Sequence, residues 1–278
     1  MNYADWIGKT ETLEDEITAW PVKALAATLD RAPETSGELP PLWHWLYFLP
    51  RAPQHTLGQD GHPALGGFLP PVPLPRRMWA GGELSFHRGL SVGETVTKTS
   101  TISDVQHKSG RTGELWFVTV DHTYTVDGET RLTERHDIVY RAMPEKGQPQ
   151  PSRPRLTHTA QFGRTLQADP VMLFRFSALT FNGHRIHYDL DYVRDVEGYP
   201  GLIVHGPLQA MLTLELLRQT RPQARVRRFG FRGLAPLFHQ DTVSVGGMDD
   251  AEAPGKVVLW TGDDAGGQAM SAWAGIDS

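Results

Sequence analysis

Between residues 84 and 141 the chain alternates apolar and polar side chains. Trp116, Val118, Val120, His122 and Tyr124 occupy one side of a period-two pattern, and Phe117, Thr119, Asp121, Thr123 and Thr125 occupy the other. That repeat belongs to a strand with one face turned toward a core. It predicts strands over 84–87, 95–105, 115–126 and 131–141, the last two joined by a turn at Val126-Asp127-Gly128-Glu129. The same signature returns at 226–234, 241–248, 257–261 and 269–274. Helical spacing at Ile17, Trp20, Val22, Leu25, Ala26 and Leu29 predicts a helix beginning near Pro21, because proline is tolerated in a first turn. A second helix is expected over the apolar run 209–217. Helical material followed by antiparallel strands, twice over, is an α+β pattern.

Two stretches interrupt this order. Residues 42–49 gather Trp43, Trp45, Tyr47 and Phe48, which reads as a core-facing segment. Residues 50–75 hold seven prolines and four glycines, so no regular element is expected there. A long irregular segment in a compact domain is either disordered or a cover over a site or partner surface. Phe68, Leu69, Met78 and Trp79 are more apolar than a solvated linker requires.

Length and composition narrow the function. A chain of 278 residues, 39% apolar, accommodates two ordinary domains, and the proline-rich polar stretch between Met143 and Pro154 is the natural boundary. We therefore expect units at 1–145 and 155–278. The 27 basic and 32 acidic residues give a net charge of -5 with no long block of either sign, so neither nucleic acid nor a membrane surface is an expected partner. Without cysteine there is no disulfide framework, thiolate nucleophile or cysteine-ligated zinc. No apolar run reaches the roughly 20 residues of a membrane span and no leader is evident, so a cytoplasmic location is expected.

The chemistry concentrates in Phe181-Asn182-Gly183-His184-Arg185-Ile186-His187-Tyr188-Asp189 and Gly198-Tyr199-Pro200-Gly201-Leu202-Ile203-Val204-His205-Gly206-Pro207-Leu208. A lone loop histidine is ordinarily structural. Here Asn182, His184 and His187 crowd one short loop between apolar flanks, and an imidazole is a natural base near neutral pH. Gly206 opens a helix, where the first N–H groups lack partners and face the positive end of the dipole, so a carbonyl oxygen gaining negative charge would be stabilised there. His184, His187 and His205 form no recognisable metal motif, and no metal is expected.

Together with Pro75-Arg76-Arg77-Met78-Trp79-Ala80-Gly81-Gly82, these segments resemble the MaoC-like hot-dog hydratases and dehydratases. The nearest branch includes mitochondrial 3-hydroxyacyl-thioester dehydratase and the mesaconyl-CoA and itaconyl-CoA hydratases. The resemblance spans nearly the whole chain. It implies a tandem hot-dog, each unit a curled antiparallel sheet wrapped around a central helix, with catalysis in the second unit and the first forming a wall of the acyl and coenzyme A pocket. It also implies hydration of a short, dicarboxylic enoyl-CoA, syn and to an (R)-3-hydroxyacyl product, with coenzyme A entering only as part of the substrate. A 3-hydroxyacyl-thioester dehydratase of fatty-acid synthesis and an acyl-CoA thioesterase are the alternatives, and both a monomer with an internal pseudo-dimer and a homodimer fit.

The family motif is Asp-x-Asn-Pro-x-His, whose acid and histidine share the added water. By position His187 matches the histidine, Asn182 stands where the aspartate would be, His184 replaces the asparagine and Arg185 the proline. An amide can orient water but cannot take its proton, so His187 is expected to be the base. Gly206 matches the glycine that supplies the backbone donor. Arg76, Arg77, Trp79, His184, Arg185, Tyr199 and His205 are the expected substrate contacts, the arginines for phosphate or carboxylate.

Overall fold

The computed structural model of the chain describes residues 3–33, 35–110, 113–143 and 152–277. The boundary expected between 145 and 155 falls largely on 144–151, outside the described residues. The strands are β1 (Thr10–Glu16), β2 (Arg76–Phe86), β3 (Thr95–Gly110), β4 (Gly113–Val126), β5 (Glu129–Arg141), β6 (Phe162–Gln167), β7 (Arg225–Gly233), β8 (Thr242–Asp249), β9 (Lys256–Asp263) and β10 (Gln268–Asp277). They form one ten-stranded sheet, ordered β1-β3-β4-β5-β2-β7-β10-β9-β8-β6, in which each strand pairs antiparallel with its neighbours.

Read outward from the β2–β7 seam, the order is a duplication. β2, β5, β4, β3 and β1 on one side correspond in chain order to β7, β10, β9, β8 and β6 on the other. The seam explains the paired glycines. A side chain at Gly81 would strike the Phe231 carbonyl of β7, and one at Gly82 the Arg135 carbonyl of β5. Only glycine lets β2 be flanked this closely on both sides.

The alternation on β4 has its predicted outcome: Val118, Val120, His122, Tyr124 and Val126 are buried between less buried neighbours. The turn after it has Asp127 and Gly128 at φ 50° and 79°, which suits the twist of a two-residue hairpin. The arginine motif lies inside β2, so that strand begins eight residues before the expected Leu84.

The helices distinguish the two halves. In the first, α1 (Ala19–Thr28) starts ahead of Pro21, and Trp20 points outward at 71% exposure instead of joining the core. In the second, α2 (Pro170–Leu179), α3 (Leu190–Asp195) and α4 (Gly206–Thr220) lie between β6 and β7. α4 is buried at every position from Leu208 to Leu217, as a helix clasped by a curled sheet must be. Its leucines each contribute about 1.5–3 kcal/mol of burial. Two of its buried polar side chains find partners: Gln209 takes a hydrogen bond from Thr261 (2.7 Å), and Glu215 pairs with Arg218 (3.0 Å).

Between α1 and β2 the first half places the aromatic segment and the proline-rich segment in place of a long helix. Trp43, Leu46, Tyr47 and Phe48 join the same core as α4, while Val72 and Leu74 cover Ile102, Val118, Val120 and Tyr140. The proline-rich segment is therefore packed onto the protein, with only a short 3-10 turn at Gln54–Thr56 as regular structure between 50 and 75.

Candidate active site

α2 delivers the candidate loop. Asp169 caps its start by accepting a hydrogen bond from the Met172 amide (2.8 Å), with Pro170 in the first turn. Its end turns through Phe181, in the left-handed region at φ 47°. Asn182 then closes a local turn, its Oδ1 accepting the His184 N–H at 3.0 Å. A single 3-10 turn, Arg185–His187, raises His187 into the interior.

The second segment lies alongside. The Ile203 N–H donates to the Ile186 carbonyl (2.9 Å), and the Ile203 carbonyl accepts from His187 Nδ1 (2.7 Å). A carbonyl only accepts, so Nδ1 carries the proton and Nε2 keeps its lone pair. The His187 ring stacks on His205, with centroids 3.6 Å apart and planes at 17°, and His205 Nε2 pairs with the Ser177 hydroxyl at 2.8 Å. Burial pushes His187 down to about 4, partly opposed by the Ile203 bond and reinforced by the positive charge His62 can carry. Burial likewise holds His205 well below an ordinary histidine. Both rings are neutral at pH 7.

Gly206 follows His205 as the first residue of α4. The helix start has no side-chain cap, and Pro207 brings no N–H of its own. A side chain placed on Gly206 would meet nothing within 4 Å, so open space faces this backbone. An uncapped amide beside open space, one residue from the imidazole stack, can receive an oxygen that gains negative charge.

The residues that the motifs left out come from the proline-rich segment. Its tip is tied to the candidate loop by the Arg185 N–H to the Asp60 carbonyl (2.9 Å) and by Arg185 Nη1 to the Gln59 carbonyl (3.2 Å). Gly61, at φ 88°, approaches Gly183 so closely that a side chain there would collide with the Gly183 carbonyl. This places Asp60 and His62 at the site. His62 Nδ1 donates to Asp60 Oδ2 (2.8 Å), its backbone N–H donates to Oδ1 (3.0 Å), and its ring lies 4.1 Å from that of His184. His184 in turn stands edge-on to His187 at 5.5 Å. Burial would raise Asp60, but the hydrogen bond and charge of His62 hold it well below the usual carboxylate range. Burial lowers both His62 and His184, and the charge of Arg77 adds to this in each.

Asp60, His62 and His184 also bring ligand atoms within 4.8 Å of one another, a set that could hold a divalent ion. The sequence offered one signal for this group, an Asp-Gly-His inside a segment already suspected of covering a site.

One expected substrate contact, Arg76, needs correction, and several others are held by partners inside the protein. Arg76 is no cation at a pocket mouth: it is 7% exposed, its Nε is 3.0 Å from Glu197 Oε2, and it also bonds the Tyr199 hydroxyl. Tyr199 is thereby an internal partner, buried under the guanidinium. Arg185 holds the loop, pairing with Asp189 (2.8 Å) and covering the Tyr192 ring. His205 is fully buried behind His187. Trp79 packs edge-on against Trp45 and Phe231. Arg77, half-buried, is the arginine whose charge bears on the histidines. A separate surface cleft of 520 Å³ is lined by Arg153, Arg155, Phe238 and Gln240 and by none of these histidines.

A duplicated antiparallel sheet, one buried helix and a histidine loop against that helix's first turn define a double hot-dog protein. The profile of the hydroxyacyl-thioester dehydratase type 2 family matches residues 42–239, and the chain belongs to that family. It is 49% identical over 250 residues to the mesaconyl-C(4)-CoA hydratase of Chloroflexus aurantiacus, covering 86% of this chain and 87% of that one. In fold it is similar to a MaoC-like dehydratase from Phytophthora capsici, with a TM-score of 0.72 at 15% identity over 99% of both chains. A double-hotdog protein of Mycobacterium tuberculosis superposes with a TM-score of 0.57 at 14% identity, over 99% of this chain and 98% of that one. The chain is accordingly a hydro-lyase of the hydroxyacyl-thioester dehydratase type 2 family. Among the described residues no helix is long and apolar enough to cross a membrane.

Proposed function

We propose that the chain reversibly hydrates the double bond of a short dicarboxylic enoyl-CoA, with mesaconyl-C4-CoA as the leading candidate and itaconyl-CoA as a member of the same chemical class. The observation that carries this reading is the pairing of an Nδ1-protonated His187, its Nε2 free, with the uncapped Gly206 amide beside open space. The 49% identity over 250 residues to a relative named for mesaconyl-C(4)-CoA supports the substrate class.

In this reading the thioester carbonyl points at the Gly206 N–H and the β-carbon faces His187. Water donates to His187 Nε2. Its O–H bond breaks as the oxygen bonds the β-carbon, and the π electrons move onto the thioester oxygen. The enolate then collapses and takes the proton from His187 at the α-carbon. The stacked His205 and the Ile203 carbonyl hold the imidazole in one orientation, which keeps the reacting atoms aligned. Arg77 supplies positive charge for the second carboxylate or the coenzyme A phosphates. The chemistry needs no cofactor beyond the coenzyme A that the substrate carries.

The test is a panel of crotonyl-, mesaconyl-, itaconyl- and long-chain enoyl-CoA, followed by loss of enoyl absorbance with free thiol measured in parallel. Rapid hydration of the dicarboxylic members without thiol release is the expected result. Preference for long chains would make it a fatty-acyl dehydratase, and thiol release would make it a thioesterase.

A further inference from the structure

We propose that His62, held by Asp60, is a second catalytic residue: it accepts a hydrogen bond from the O–H that the attacking water keeps, and so supplies, from the first half of the chain, the acceptor that the amide at position 182 does not. This rests on the hydratase reading above.

The argument begins with Asn182. Its Oδ1 is engaged by the His184 N–H, which leaves its NH2 group, a donor, as the free end. A water poised to attack carbon needs acceptors for its hydrogens, so that its lone pair is left to aim at the β-carbon. His187 Nε2 is one acceptor. A carboxylate at position 182 would be the second, and it is missing.

His62 has the chemistry to replace it. An ionised carboxylate only accepts, so the 2.8 Å contact fixes the His62 proton on Nδ1 and leaves Nε2 with a lone pair, the same tautomer as in His187. The side chain is partly enclosed, with 20% of its surface accessible. Its position is set twice over, by both oxygens of Asp60 and by the docking of residues 59–61 onto Gly183 and Arg185. The rings of His62 and His187 both adjoin that of His184, and the charge of His62 is felt at His187.

Asp60 contributes a second effect. When His187 takes the proton, a positive charge appears among closely spaced imidazoles. The Asp60 carboxylate offsets it at short range, where burial makes such charge costly. Asp60 is thus a positioning residue that sets the His62 tautomer and the local potential.

The experiment compares the full-length enzyme with His62→Ala, Asp60→Asn and His187→Ala, measuring kcat, KM and melting temperature with the best enoyl-CoA of the panel. Both His62→Ala and Asp60→Asn are expected to lower kcat about 100-fold, the scale of one acid–base group, with KM little changed. Asp60→Asn acts because one carboxylate oxygen becomes an NH2 donor, which forces the imidazole to the other tautomer. Added imidazole is expected to restore part of the kcat of His62→Ala, an effect that a merely structural role would not produce. If His62→Ala and Asp60→Asn keep the parent's kcat while His187→Ala is inactive, this inference falls and the hydratase reading stands. Changes confined to KM or melting temperature also overturn it. So does loss of parent activity on chelation with recovery on added zinc, which would make His62 a metal ligand. A parent that hydrates no enoyl-CoA overturns both.

Discussion

His187 lies flat on His205, with ring centroids 3.6 Å apart, and each ring spends one nitrogen on a fixed partner: His187 on the Ile203 carbonyl, His205 on the Ser177 hydroxyl. Stacked imidazoles cannot both be protonated at this distance. Burial keeps the outer ring a neutral acceptor, and the charge the outer ring would carry helps keep the inner one neutral.

A base with its pKa at about 4 should work far below the usual histidine range. His187 is neutral above that value, so kcat/KM is expected to stay flat from pH 7 to near pH 5 and to fall only on approach to pH 4. A pH–rate profile checks this, with activity recovered on return to pH 7 to separate titration from unfolding. An acid limb centred near 6.5 would assign the proton acceptor elsewhere.

Gly206→Pro is expected to remove the amide while keeping the helix. Proline suits a first helical position, and the preceding His205, at φ −56° and ψ 135°, already has the backbone that proline demands. Loss of one such donor should cost about 100- to 1,000-fold in kcat with little change in melting temperature. Steady-state kinetics beside a thermal melt make the comparison.

Arg76 and Glu197 test the correction to the arginine motif. Arg76→Leu leaves a buried carboxylate without its cation and is expected to cost about 3–5 kcal/mol of stability. Arg76→Leu combined with Glu197→Leu should recover part of that loss. Arg77→Ala should instead raise KM for dicarboxylic substrates at nearly unchanged stability. Denaturant melts and KM values across the panel separate the two arginines.

Stability itself should rise with pH between about 4 and 6.5. His122, His184, His187 and His205 all have folded-state pKa values pushed below 6.5, chiefly by burial. In this window the unfolded chain binds more protons than the native one, so each pH unit lost costs about 1.4 kcal/mol per fully responsive histidine. Asp60 and Glu134, held below the usual carboxylate range by their histidine partners, act in the same direction: their contribution is present above the ordinary carboxylate value and is lost as pH falls further. Melting temperatures from pH 4.5 to 7.5 give the slope, and a flat curve would contradict the buried neutral histidines.

Eight of the ten strands, all but the two edge strands β1 and β6, were legible because one face of each meets the core, which writes period two into β4 and its neighbours. β1 was missed for the opposite reason: Thr10–Glu16 is an edge strand, exposed at nearly every position, and its polar sequence carries no alternation. The motif around Asn182 and His187 located the loop, and the apolar run after Gly206 located its helix. Asp60 and His62 stayed hidden because the contact that brings them in, from Gln59 to Arg185, spans 126 residues, and local spacing says nothing about such a distance. Arg76 read as a substrate contact because a guanidinium suits phosphate or carboxylate. Its burial depends on Glu197, which only the fold brings near.

The ladder between β2 and β7 runs through five residue pairs, from Gly81–Arg232 to Ser85–Arg228. Swinging the halves apart would break that ladder and bare two raw strand edges, so the molecule has no easy hinge along its middle. Whatever breathing admits a bulky thioester must come from the roof instead: the stretch around Gly61, fastened to Arg185 by a few hydrogen bonds, is the part that can lift without tearing a sheet.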